Sequence, residues 1–209
     1  MGDGANTYLI GDFHWGHESV ARRRGFASAD EHDLALYDQC MKQLRTKDHL
    51  IVVGDISSGK TEDHALEIIA SLPGTKELVT GNHDSVSAIH VNGPRNQRKF
   101  LDVFQSVTEY RRIRSRRRSV LVSHYPYASQ GDGPGRGEGR YMQFRLPDLG
   151  ALLIHAHTHH THPTSGSVTG RELCVSWDAW NRLVSQGDVD RWVKSLEPTE
   201  ANTKEEVEA

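Results

Sequence analysis

Five short apolar runs in this chain each stop at a residue with a metal-binding side chain. TYLIG leads into Asp12 and His14, and HLIVVG leads into Asp55. ELVTG leads into Asn82, His83 and Asp84, SVLVS into His124, and ALLIHA into His157 and His159. Short apolar, β-branched runs bounded by Gly read as strands buried on both faces. The carboxyl edge of an open α/β sheet is where ligands bind. A chain built this way must gather those polar ends along one edge.

Helical signals separate the first three runs. Ser28 and Glu31 form a capping box, followed by Leu34, Tyr37, Met41 and Leu44 at helical spacing with Cys40 beside them. Thr61 is placed to cap a second helix, with Glu62 and Asp63 in its first turn and Leu66, Ile69 and Leu72 on its face. Pro73-Gly74 ends it, and Lys76 to Thr80 is the third strand. Two βα units followed by a strand indicate a parallel sheet covered by helices. The second half is richer in strands: a hairpin from 107–114 and 119–126, then runs at 150–157 and 172–178. Ser185 and Asp188 cap a last helix through Trp192, Val193 and Leu196. The expectation is one α/β domain over residues 1–196. The segment 197–209 holds five Glu against one Lys and is expected to be a flexible acidic tail.

A chain of 209 residues can bury a core without staples. No apolar run approaches the length of a membrane span. The first residues lack a basic, then apolar, leader, so a cytoplasmic location is expected. Cys40 and Cys174 offer no disulfide framework and are expected to be buried thiols.

The net charge of −3 implies no partner, but its distribution is uneven. Twelve Lys or Arg stand against four Asp or Glu between Arg95 and Arg145. Arg111, Arg112, Arg114 and Arg116 to Arg118 fall on the expected hairpin, where a solvated face is the default reading. A run this dense could also steer anions or grip nucleic acid. SQGDGPGRGEGR (129–140) lacks the Gly-Lys-Ser/Thr ending of a phosphate-cradling loop and is expected to be a mobile loop.

Nine of the 13 histidines fall in four short segments, at positions 14 and 17, 83, 124, and 155 to 162. Mixed imidazole and carboxylate donors suit divalent metals of intermediate softness. A two-metal centre with ions roughly 3.5–4 Å apart needs a shared ligand, and a carboxylate can supply it. Asp55, alone at its strand end, is the natural bridge.

Read in order, D-x-H, G-D, G-N-H-D, H and H-x-H is similar to the calcineurin-like metallophosphoesterase superfamily. The likeness runs from residue 9 to about residue 160. It is nearest to small bacterial and bacteriophage members with a D-x-H-x-G-H opening, here Asp12, His14, Gly16 and His17. The resemblance implies a two-sheet β-sandwich flanked by helices. It implies that Asp12, His14, Asp55 and His159 hold one metal, and Asp55, Asn82, His124 and His157 a second. Manganese is the foremost expectation, with iron, zinc, nickel or cobalt as alternatives. His83 would be the catalytic non-ligand histidine, oriented by Asp84. A metal-bridging hydroxide would attack phosphorus in line.

Two positions depart from the family pattern. Ile56-Ser57-Ser58 replaces the usual continuation after the bridging aspartate, without the arginine that phosphoprotein phosphatases use to grip phosphate. Ala156 replaces the usual Gly before the last H-x-H. A compact chain with no room for a large cap implies an open site. That favours small phosphodiesters such as cyclic nucleotides. The rivals are a nuclease acting on RNA or DNA, and a non-catalytic nucleic-acid-binding protein with a residual metal site. His17, Arg136 and Arg140 are candidate substrate contacts. His155 is expected to pack in the core, His160 and His162 to lie outside the ligand set, and Trp177 and Trp180 to be core. Composition sets no oligomeric state.

Overall fold

The computed structural model describes residues 4–129, 131–133, 139–164, 166–167 and 169–197. The strands are β1 (Thr7–Ile10), β2 (His49–Val53), β3 (Thr75–Val79), β4 (Val107–Thr108), β5 (Tyr110–Ser115), β6 (Arg118–Ser123), β7 (Leu152–His155), β8 (Glu172–Cys174) and β9 (Val184–Ser185). The α-helices are α1 (Glu18–Arg23), α2 (Ala29–Gln43), α3 (Glu62–Ser71), α4 (Gly93–Leu101), α5 (Trp177–Trp180) and α6 (Gln186–Ser195). The strands form two sheets, ordered β4-β3-β2-β1-β9 and β5-β6-β7-β8. Strands β1 to β4 are mutually parallel, as are β6, β7 and β8, while β9 and β5 are antiparallel edges.

The pleat explains why the apolar runs are continuous rather than alternating. Ile10, Leu50 and Val52 face the helices, packed with Leu36, Cys40, Ile69 and Phe100. Their neighbours Leu9, Ile51 and Val53 face the second sheet, against Val120, Val122, Leu152 and Ile154. Each strand therefore needs apolar residues at every position. Helix α6 closes the inter-sheet core with Val189, Trp192 and Val193. This is the expected two-sheet sandwich in a single α/β domain. Among the described residues no helix is long and apolar enough to cross a membrane.

Four sequence expectations change. Helix α2 buries only part of the face expected of it: Cys40 and Leu44 are buried and Tyr37 packs on the core, but Leu34 is 63% and Met41 45% exposed, while His32, Asp33 and Leu36 are buried instead. Two polar residues on the inner face belong to a hydrogen-bond network and displaced the apolar count. The segment 107–114 is not one hairpin strand. Val107 and Thr108 pair with β3 in the first sheet, and the hairpin begins at Tyr110 in the second. Thr61 precedes α3 but makes no side-chain cap; its hydroxyl donates to the Trp15 carbonyl at 3.0 Å. Ser28 caps α2 by accepting from Glu31 N–H, but the box expected with Glu31 does not close, because that carboxylate accepts from Ala27 N–H instead; the Ser185–Asp188 box forms as expected. Helices α1 and α4 carry too little periodic apolar signal to be read from sequence. Cys40 and Cys174 are buried free thiols. The tail beyond Glu197 and Arg136 lie outside the described residues.

Candidate metal centre

The ends of β1, β2 and β7 place their polar side chains by leaving the extended conformation. Among the described residues nine non-glycine positions have positive φ, and five are Asp12, His14, Asp55, His157 and His159, with φ between 51° and 66°. Left-handed backbone at Asp or His is uncommon and costs of order 1–3 kcal/mol per residue. Strain repeated at five candidate ligands is spent on aiming them inward. Gly54 makes the close approach possible: it has φ +77°, and a Cβ there would collide with Nδ1 of His124. Gly11 leaves the room that Ala156 fills, which is why alanine is tolerated before the H-x-H pair.

The side chains converge in two groups. Asp12, His14 and His159 offer ligand atoms within 4.8 Å of one another, and so do Asp55, His124 and His157. Asp55 lies between them: its Oδ2 is 3.4 Å from His124 Nε2 and 3.8 Å from His14 Nε2. Asn82 is buried and lines the same cleft as Asp55 and His157. All seven expected ligands are thus brought together.

Three of the four rings are held so that one nitrogen is left free. His124 Nδ1 donates to the Val53 carbonyl at 2.9 Å, leaving Nε2 towards Asp55. His159 Nδ1 donates to Asp178 at 2.9 Å, leaving Nε2 3.3 Å from His14 Nε2. His157 uses Nε2 on Asp132 at 3.1 Å, which leaves Nδ1. Such outer partners fix tautomer and ring direction in metal sites. Asp12 Oδ2, His14 Nδ1, Asn82 Oδ1 and His124 Nε2 are buried polar atoms without a hydrogen-bond partner. Orphans of this kind are costly unless something else binds them. A mixed nitrogen and oxygen donor set with orphaned buried atoms fits two divalent ions.

Charge follows the same geometry. Burial pushes the Asp55 carboxyl up, but His124, His14 and His83 outweigh it and hold it well below the usual range. Burial lowers His124, yet Asp55 and Asp12 raise it to about 9. Burial and the nearby His124 lower His157 to about 3.

Sequence reasoning missed the layer behind the ligands. Arg24 reaches Asp178 with two nitrogens, at 3.1 and 2.7 Å, and also donates to the Phe13 carbonyl and to His32 Nε2. His32 Nδ1 then donates to Asp33, whose other oxygen accepts Gly16 N–H at 2.8 Å. Asp178 would be raised by burial, but His159 and Arg24 hold it below the ordinary carboxylate range. Asp132 is wholly buried against Arg140, Arg145 and His157. No spacing rule links these residues in sequence.

Asp84 has a different task from the one expected. Its Oδ2 accepts N–H from Asp55 at 3.0 Å and Gly81 at 2.7 Å, and its Oδ1 accepts from Ile56 at 2.9 Å. It ties two strand ends together and makes no hydrogen bond to the His83 ring among the described residues. His83 is exposed at the mouth, its ring 5.4 Å from that of His14 and its N–H bonded to Asp55 Oδ1 at 2.8 Å. The mouth is a cleft of about 360 Å³ that also takes in His17, Arg23 and Arg140. His17 and Arg140 are therefore where substrate contacts were expected, and Arg23 is an addition. His155 packs in the core and bonds the Ala156 carbonyl; His160 is half-buried and His162 exposed, and neither joins a ligand group. Trp177 is buried and Trp180 half-buried, as expected of core residues.

The chain is similar to known proteins. The chain is 34% identical over 200 residues to the Gene 66 protein of Mycobacterium phage D29, covering 92% of this chain and 98% of that one. It is 35% identical over 195 residues to the Gene 66 protein of Mycobacterium phage L5, covering 88% and 92%. The crystal structure of a protein of unknown function from Aquifex aeolicus has the same fold, with a TM-score of 0.66 at 24% identity over 90% of this chain and 99% of that one. The calcineurin-like phosphoesterase model matches residues 5–161, which span every candidate ligand, and the chain belongs to that family.

Proposed function

We propose that this metallophosphoesterase is a phosphodiesterase for small diesters such as cyclic nucleotides, working with two divalent transition-metal ions, manganese foremost. The observation that carries the reading is Asp55 set between two donor groups at the floor of an open cleft. Asp12, His14, Asp55 and His159 would hold one ion; Asp55, Asn82, His124 and His157 would hold the other. When bound, such ions neutralise charge on phosphoryl oxygens and activate water.

The protein's own part is positioning and proton transfer. Asp178 and Asp132 fix the His159 and His157 rings. His83, exposed above the ligands, would hold a proton for the leaving oxygen. Arg23 and Arg140 line the mouth, where a guanidinium can pair with a phosphate. One or two such contacts suit a single phosphate rather than an extended chain.

The test is a comparison of kcat/KM with Mn²⁺ for 2′,3′- and 3′,5′-cyclic nucleotides, an aryl diester and an aryl monoester. Diesters ahead of the monoester by tenfold or more support the proposal. A monoester ahead of every diester overturns it.

A further inference from the structure

A second charged feature lies outside the cleft. The β5–β6 hairpin carries six arginines in the eight residues 111–118. Two of them are neutralised, Arg111 by Glu77 and Arg116 by Glu197. Arg112, Arg114 and Arg117 have no carboxylate partner among the described residues. Together with Ile113 and Ser119 they line a cavity of about 340 Å³. Three guanidiniums around one hollow repel one another unless an anion occupies it.

Strand geometry orders them. Arg111, Ile113 and Ser115 turn inward, so Tyr110, Arg112 and Arg114 share the outer face. Successive residues on one face stand roughly 6.6–6.8 Å apart. Tyr110 belongs to the row: it is 43% exposed, and its hydroxyl donates to the Phe144 carbonyl at 2.8 Å, which steadies the ring. At the far end the turn residues Arg116 and Arg117 have φ of 47° and 67°. A two-residue turn with both φ positive favours Asn-Gly, so bulky cations there are retained against the backbone preference. At the near end Tyr110 pairs with Ser123, the residue before the candidate ligand His124. The row therefore runs from the hairpin tip to the sheet edge that carries the metal centre.

We propose that this face is a docking site for single-stranded nucleic acid, with Arg112, Arg114 and Arg117 on successive phosphates and Tyr110 stacked on a base. A linear row of cations with an aromatic in line is the pattern that a phosphodiester backbone with exposed bases requires. An acidic protein surface would use the charges but has no need of the aromatic or of the regular spacing. The inference goes beyond small-diester hydrolysis, because docking here requires no turnover.

The experiment is fluorescence anisotropy with a labelled 2′-O-methyl oligouridylate, which resists hydrolysis, over a salt series. The proteins are the native chain and the triple variant Arg112→Ser, Arg114→Ser, Arg117→Ser. Three phosphate contacts predict a log–log salt slope of about −2 for the native chain. The variant should lose at least tenfold in affinity and most of that slope, with kcat/KM for an aryl diester within about twofold of native as the check on folding. Tyr110→Leu should weaken binding with the slope kept. Equal binding by native and variant proteins, or poly-glutamate binding as tightly as the oligonucleotide, overturns the proposal. Loss of diesterase activity in every protein with oligonucleotide binding intact would count against the proposed function alone.

Discussion

Asp178 Oδ2 lies 2.9 Å from Nδ1 of His159, and a buried arginine holds that carboxylate in place. An ionised carboxylate can only accept, so Nδ1 carries the proton and Nε2 is the nitrogen offered to a metal. The tautomer of a candidate ligand is thus set two layers away, by Arg24.

Asp178→Asn keeps the shape but weakens that control. It is expected to lower metal affinity by about 10–100-fold, the usual effect of losing such a partner. Arg24→Lys cannot reproduce the fork on Asp178 and should fall in the same direction. Metal titration followed by calorimetry decides this; native affinity in both variants would show that the network only packs.

Asp84→Asn tests a structural role against a catalytic one. Three backbone N–H groups converge on its carboxylate, and an amide can accept only part of that set. Stability should drop by about 1–3 kcal/mol, as expected for unsatisfied buried donors. The pH profile of turnover should keep its native shape. A displaced acidic or basic limb with native stability would instead tie Asp84 to His83.

The sheets were legible because both faces of their strands are buried, so the apolar runs are unbroken and end abruptly at polar residues. Asp12, His14, Asp55, Asn82, His124, His157 and His159 were legible for the same reason. The misread part of the α2 face has an equally physical cause. His32 and Asp33 take inner positions because the Arg24 network needs them, while Leu34 and Met41 are left outside. Arg24 meets Asp178 across 154 residues of chain and Asp132 reaches His157 across 25, and no local period records either contact. The left-handed backbone at five site residues was hidden too, since Asp and His, unlike Gly, do not announce it.

His155 should make stability depend on pH. Burial lowers it to about 4, while an unfolded imidazole titrates near ~6.5. A depressed folded value means its contribution is full above pH ~6.5 and is lost as pH falls towards 4. Urea midpoints of the metal-free protein should therefore fall more steeply between pH 7 and 4.5 than those of His155→Gln. Parallel curves would show that the ring is not held neutral.

Chelation should abolish turnover and Mn²⁺ should restore it, with Mg²⁺ a poor substitute. Four imidazoles among seven donors are the reason, since a hard ion prefers oxygen. Full activity in chelator, read as aryl diester hydrolysis, would contradict a metal requirement.

The most direct measurement is the number of metal ions per chain in three proteins loaded with Mn²⁺ and stripped of excess. The native chain should hold two. Asp55→Ala should lose both together, because both donor groups share that carboxylate. His83→Ala should still hold two while its turnover falls by about 10²–10⁴-fold, the range for a lost general acid. Two ions retained in Asp55→Ala, or none in His83→Ala, would contradict a shared-carboxylate centre with a separate proton donor.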